Sequence, residues 1–240
     1  MYNGHYQNET GSDGIGDTPY VVDADNRDNY PLVNPYPWGT GLVGYWKFDE
    51  GSGATAYDSS GNGNDGTVYG ASWTQGKINA ALSFDGIDDY VEAPNSPELN
   101  PSLITVMAWV NFRGFPEAGL YEESGGVSWR NSLVISKGTD IRVNGHYCLY
   151  VQFDRPYDHP NEARMYFQIT EGGEWTWIGG TTNITLDTWY HVAGTYDGSV
   201  LRIYVNGMLE GERLLNVPRT SNTGNLQIGA CRQPGWEYWT

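Results

Sequence analysis

Basic residues are scarce in this 240-residue chain: 13 Lys and Arg stand against 29 Asp and Glu, for a formal charge of −16 at pH 7. A surface of that sign repels polyanions, so a nucleic-acid partner is excluded as an expectation. Long apolar runs are also missing, and nothing approaches the roughly 18 residues that would signal a membrane-spanning helix. Membrane insertion is therefore not expected, and Met1-Tyr2-Asn3-Gly4-His5 lacks the basic start and apolar run of a signal peptide. Cysteine is limited to Cys148 and Cys231, too few for a disulfide framework and without metal-ligand spacing, which leaves one bridge or two buried thiols. Catalytic patterns are missing too. There is no Gly-x-Ser-x-Gly elbow, zinc-binding His pair or phosphate loop, and the four histidines are scattered. No catalytic residue is assigned.

What the chain does contain is turn residues and rings: Gly 32, Pro 12, Tyr 18 and Trp 10. Amphipathic rings favour strands and surfaces that are part apolar, part wet. Residues 1–40 show neither helical nor strand period and read as an irregular acidic tail. From 41 to 240, short strand-like runs recur between turns, as expected of one all-β domain. In the run from Ile104 to Phe112, alternation puts Ile104, Val106, Ala108, Val110 and Phe112 on one face, a core strand of a sandwich. Asp197-Gly198 and Asn206-Gly207 each separate two such runs. Either pair tolerates the positive φ of a tight hairpin turn, which predicts a three-stranded meander over Tyr190 to Arg213. Two sequons, at Asn8 and Asn183, permit glycosylation of an exported protein.

Four segments carry a resemblance. They are Gly44-Tyr45-Trp46-Lys47-Phe48-Asp49-Glu50-Gly51-Ser52-Gly53 leading to Asp58-Ser59-Ser60-Gly61-Asn62-Gly63-Asn64; Ala81-Leu82-Ser83-Phe84-Asp85-Gly86 with Asp89-Tyr90-Val91; Val106-Met107-Ala108-Trp109-Val110; and Trp189-Tyr190-His191-Val192-Ala193 through Leu201-Arg202-Ile203-Tyr204-Val205-Asn206-Gly207. Together, and in this order, they resemble the laminin-G-like jelly rolls of the concanavalin A-like lectin/glucanase superfamily, in its pentraxin-related prokaryotic branch. The resemblance implies an all-β jelly-roll β-sandwich over about Gly41 to Gly229. It also implies a closing strand after Gly229 that has no counterpart here. In the family that strand pairs beside the first one, here Leu42 to Phe48, so an open edge at 42–48 is expected, filled by the chain's own tail or by strand exchange between copies. Gly11 to Val33 resembles the C-terminal tail of parallel β-helix proteins related to a periplasmic copper-maturation factor, which suggests part of a longer exported protein at the cell surface or outside the cell. No residue matches a copper site.

The family often binds calcium, and Asp49, Glu50, Asp58, Asn62, Asn64 and Asp65 supply oxygens suited to a hard cation; the other reading is a turn whose side chains cap backbone amides. A second metal candidate is the loop Lys137-Gly138-Thr139-Asp140 with Asn144, where Asp140 is the one acidic residue. The carboxylate pattern of glucanases with this fold is missing. Sugars stack C–H faces on rings and bond hydroxyls to Asp, Asn and Gln. Trp129, Arg130, Tyr157, Asp158, Asn161, Glu174, Trp175 and Trp177 are therefore the candidate glycan-binding residues, and period two puts both rings of Glu174-Trp175-Thr176-Trp177 on one face. The expected function is a non-catalytic, calcium-stabilised module that binds a polysaccharide or glycoconjugate. The first rival is a structural or adhesive protein that assembles through an open edge; the second, disfavoured by the missing acid pair, is a glycan-degrading enzyme.

Overall fold

The computed structural model describes residues 41–114, 121–122, 128–138, 142–155, 159–215, 217–233 and 236–239; of these, the side chains at 121–122, 128–131, 154–155, 159–161, 231–233 and 236–239 are not described. The expected tail over 1–40 lies outside these residues, as do Asp140, Tyr157 and Asp158. Strands dominate. In chain order they are β1 Thr55–Ala56, β2 Gly66–Tyr69, β3 Ser72–Gln75, β4 Ala80–Ser83, β5 Tyr90–Ala93 and β6 Ile104–Asn111. There follow β7 Tyr121–Glu122, β8 Ser128–Lys137, β9 His146–Arg155, β10 His159–Glu171, β11 Glu174–Gly179 and β12 Trp189–Tyr196. The last are β13 Val200–Val205, β14 Met208–Leu214, β15 Leu226–Ile228, β16 Ala230–Gln233 and β17 Trp236–Trp239.

Two antiparallel sheets face each other. The long one runs β1-β2-β5-β15-β8-β9-β10-β11 with β7 beside β8, and the short one runs β14-β13-β12-β6. Alternation decides which side chains meet between them. From the long sheet come Leu149, Val151 and Phe153 on β9 and Met165, Phe167 and Ile169 on β10; from the short sheet come Val106, Val192, Leu201, Ile203 and Val205. The layers approach closely where Phe167 lies on Gly194. A Cβ at Gly194 would stand 2.2 Å from the ring, so only glycine fits there. This is a jelly-roll β-sandwich, as expected.

The meander is β12, β13 and β14, and both residues of its second turn carry positive φ, 51° at Asn206 and 79° at Gly207. The expected strand over Leu42 to Phe48 does not form. That stretch makes one isolated bridge, Trp46 with Asp58, and Phe48 sits at φ 57°. Side chains replace the ladder. Asn62 Nδ2 donates to the Leu42 carbonyl at 2.8 Å, Asn64 Nδ2 to the Val43 carbonyl at 2.7 Å, and Tyr45 N to Asp58 Oδ1 at 2.9 Å. With these polar groups engaged, 42–48 is no open ladder edge. Among the described residues β6 ends the short sheet, paired on one side only, with β12, as β14 ends it at the other side and β1 and β11 end the long sheet.

Candidate functional site

The outer face of the long sheet is built by the second phase of the same alternation. While odd positions of β9 and β10 fill the core, Cys148, Tyr150 and Gln152 on β9 and Arg164, Tyr166 and Gln168 on β10 point the other way. Register aligns them in rows: Cys148 opposite Gln168, Tyr150 opposite Tyr166, Gln152 opposite Arg164. β11 extends the rows, with Trp177 opposite Gln168 and Trp175 opposite Thr170. The two tryptophans thus share this face, as their spacing predicted, while Ile178 packs against the core.

This face has its own apolar cluster, Leu133, Cys148, Tyr150 and Tyr166 with Trp177 against it. The Tyr150 and Tyr166 rings stack at 5.4 Å and 16°, and Trp177 meets Tyr166 edge-on at 5.7 Å. Arg213 covers the other side of Trp177, its guanidinium carbon 6.0 Å from the ring. The cluster is recessed: both tyrosines are 7% exposed, while Trp175 at its rim is 46% exposed. Polar groups surround it. Ser136 Oγ and His146 Nε2 lie 3.2 Å apart, and Arg164 Nε donates to Glu162 Oε2 at 3.1 Å. Gln152 and Gln168 are each 6% exposed, and neither Nε2 has a hydrogen-bond partner among the described residues. Buried amides are normally bonded, which makes this pair unusual.

Of the candidate glycan-binding residues, Glu174, Trp175 and Trp177 lie on β11 beside this cluster. The backbones of Trp129 and Arg130 belong to β8 and that of Asn161 to β10, but their side chains are outside the description. Sequence reasoning missed Tyr150, Gln152, Arg164, Tyr166 and Gln168. Their signal was the polar and aromatic phase of the runs His146 to Phe153 and Arg164 to Ile169, whose other phase is aliphatic.

Several of the calcium candidates cap backbone amides of their own loop. Asp58 Oδ1 accepts from Tyr45 N at 2.9 Å and Ser60 N at 2.8 Å, and Oδ2 accepts from Ser60 Oγ at 2.7 Å and Asn64 N at 3.0 Å. Burial pushes its pKa up, but these bonds outweigh burial and hold it below the usual value. Asp65 Oδ1 accepts from Asp58 N, Glu50 Oε1 from Tyr57 N, and Asp49 from Asn79 and Ala80. These oxygens cap backbone amides of the loop, while the buried Glu50 Oε2 accepts from no donor among the described residues. Among the described residues, the acidic groups that stand together are Asp85, Asp88 and Asp89, with ligand atoms within 4.8 Å of one another. Burial, then the Asp85 and Asp88 charges, raise the Asp89 pKa, while the hydrogen bond that the Asp85 backbone N–H donates to Asp89 Oδ2 opposes the shift.

At the second candidate loop, Lys137 itself is the cation. Its fully buried ammonium donates to Asn95 Oδ1 at 2.8 Å and to the carbonyls of Asn222, at 2.9 Å, and Gly224. Asn144, from the same candidate, accepts from Gly173 N at 2.9 Å. Beside the lysine, buried Arg219 donates to the Pro101 and Gly145 carbonyls and pairs with Glu171 at 3.8 Å.

A family profile described as concanavalin A-like lectin/glucanases superfamily matches residues 85–240, and the chain belongs to that superfamily. No curated protein matches it in sequence. Among solved structures it is similar to domain 4 of AbnA, an extracellular arabinanase of Geobacillus stearothermophilus in complex with arabinotriose. There the identity is 15%, the coverage 82% of this chain and 87% of that one, and the TM-score 0.52. It is also similar to the enzymatically active domain of tailspike protein 2 of bacteriophage CBA120, at 12% identity over 71% of this chain and 26% of that one, with a TM-score of 0.50. At these identities the likeness is one of fold.

Proposed function

We propose that this protein is a non-catalytic carbohydrate-binding module of an exported or surface protein, and that it holds its glycan on the outer face of the long sheet. The observation that carries this reading is the aromatic cluster of Tyr150, Tyr166 and Trp177, flanked by two buried amides without partners and rimmed by exposed Trp175. Rings accept the C–H faces of sugars, and amides bond their oxygens. A lectin-like fold supports the reading, though on any fold function rests in the site. Calorimetric titration with a panel of soluble glycans tests it. Binding that Trp175→Ala removes is the expected result; no binding to any glycan, or release of new reducing ends, contradicts it.

Calcium belongs to the proposal as a structural cation. Of the described carboxylates, Asp85, Asp88 and Asp89 are the set whose mutual repulsion a divalent ion would relieve.

A second reading, self-assembly, is favoured by β6. Its sequence, Ile-Thr-Val-Met-Ala-Trp-Val-Asn, has no charge and no proline on an unpaired edge, and Asn111 at its end has a buried Oδ1 without a partner. Edges of this kind recruit strands unless guarded.

A further inference from the structure

We infer that the recessed face takes a neutral, hydroxyl-rich glycan longer than a single sugar, and that Gln152 and Gln168 are the residues that read its oxygens. This rests on the glycan-binding reading above and names the ligand class for the same site.

Three observations carry it. First, the unmet groups are donors. A buried N–H left unpaired costs about 1–3 kcal/mol, so both Nε2 atoms call for an incoming acceptor, which sugar hydroxyl and ring oxygens supply.

Second, the cations beside the face are already engaged within the protein. Arg164, the cation on these rows, is bonded to Glu162, and Glu92, further along the face, accepts from Gln227 at 2.9 Å. Glu174 stands exposed at the rim of a chain whose net charge is −16. A uronate or sulfated sugar would meet negative potential, with Arg164 held by Glu162 and Arg213 engaged on the Trp177 ring and carbonyl.

Third, the two amides bracket the tyrosine pair diagonally. Gln168 lies opposite Cys148, and Gln152 lies four residues further along β9, so the amides are separated by about 14 Å at roughly 3.4 Å per residue. That exceeds one sugar ring. A short oligosaccharide lying along the strands would lay its apolar face over Tyr150 and Tyr166 and offer an oxygen at each end.

The test titrates the full chain with neutral oligosaccharides of arabinose, xylose and glucose of increasing length, and with oligogalacturonates of matched length. The proteins compared are the wild type, Gln152→Leu, Gln168→Leu and Trp175→Ala. Neutral ligands should gain affinity up to about a trisaccharide, and oligogalacturonates should not bind. Each leucine variant should lose about tenfold in affinity, the equivalent of one good hydrogen bond. Melting of the ligand-free leucine variants should be unchanged or higher, because each removes a donor that the free protein leaves unpaired. A merely structural amide would instead lower the melting temperature. Oligogalacturonate preference overturns the inference, as does full affinity in both leucine variants. If Trp175→Ala abolishes binding while both leucine variants bind normally, the inference falls and the glycan-binding reading stands; if the wild type binds nothing, both fall.

Discussion

Lys137 and Asn222, 85 residues apart in sequence, meet in the interior, where the lysine ammonium donates to the asparagine carbonyl at 2.9 Å. Three oxygens surround this ammonium, yet burial, and secondarily the charge of Arg219, lower its pKa from 10.5 to about 8. Below about pH 8 the lysine is charged in both folded and unfolded chains. Between about 8 and 10.5 the unfolded chain binds more protons than the folded one, so this group makes stability rise with pH. Tyr147 and Tyr196, whose pKa values are raised, act oppositely once pH exceeds 10. Denaturation at intervals from pH 7.5 to 10 should therefore show a rise in the wild type that Lys137→Met lacks.

Asp58→Ala removes the acceptor for four donors, Tyr45 N and three groups of the loop at Ser60 and Asn64. It should cost about 2 kcal/mol, and the loss should be equal with and without chelator, since the role is capping. Because the folded pKa of Asp58 lies below 3.8, its contribution is present above that pH and fades as pH falls through the lower folded value. Urea denaturation of both proteins at pH 7 and in acid measures this.

Calcium should raise the melting temperature of the wild type, and chelation should reverse the rise. Asp88→Asn should abolish the response. In chelator that variant should melt above the wild type, because one of three crowded carboxylates has lost its charge. A scanning calorimeter decides both points.

If β6 recruits a strand, sedimentation velocity should show concentration-dependent association of the wild type. Met107, 45% exposed on that strand, is the place for a guard: Met107→Lys should return the protein to monomer without changing its melting temperature. A wild type that stays monomeric at all concentrations removes the assembly reading.

The sandwich was legible because its strands alternate cleanly. Ile104 to Phe112 and the Asn206-Gly207 turn could each be read from neighbours in sequence. Leu42 to Phe48 misled because its β-forming residues do go inward, Trp46 and Phe48 among them, while the backbone partners come from side chains of Asp58, Asn62 and Asn64. Nothing local distinguishes an asparagine that ligates a cation from one that donates to a carbonyl 21 residues away. The outer face was half visible. Trp175 and Trp177 stand in a short polar run, whereas Tyr150 and Tyr166 acquire meaning only when register sets β9 against β10.

The two sheets are fastened unequally at their margins. At one margin Glu210 of β14 accepts from Thr181 N at 2.8 Å, Thr182 N at 3.0 Å and the Thr182 hydroxyl, joining the short sheet to the turn that follows β11. At the other margin β6 is paired with β12 alone among the described strands. Amide exchange in deuterated water should therefore be graded across the molecule. The amides of Thr181 and Thr182 will exchange late, with global opening, and those on the free side of β6 early. Whatever closes over β6 will reveal itself by slowing the early set alone.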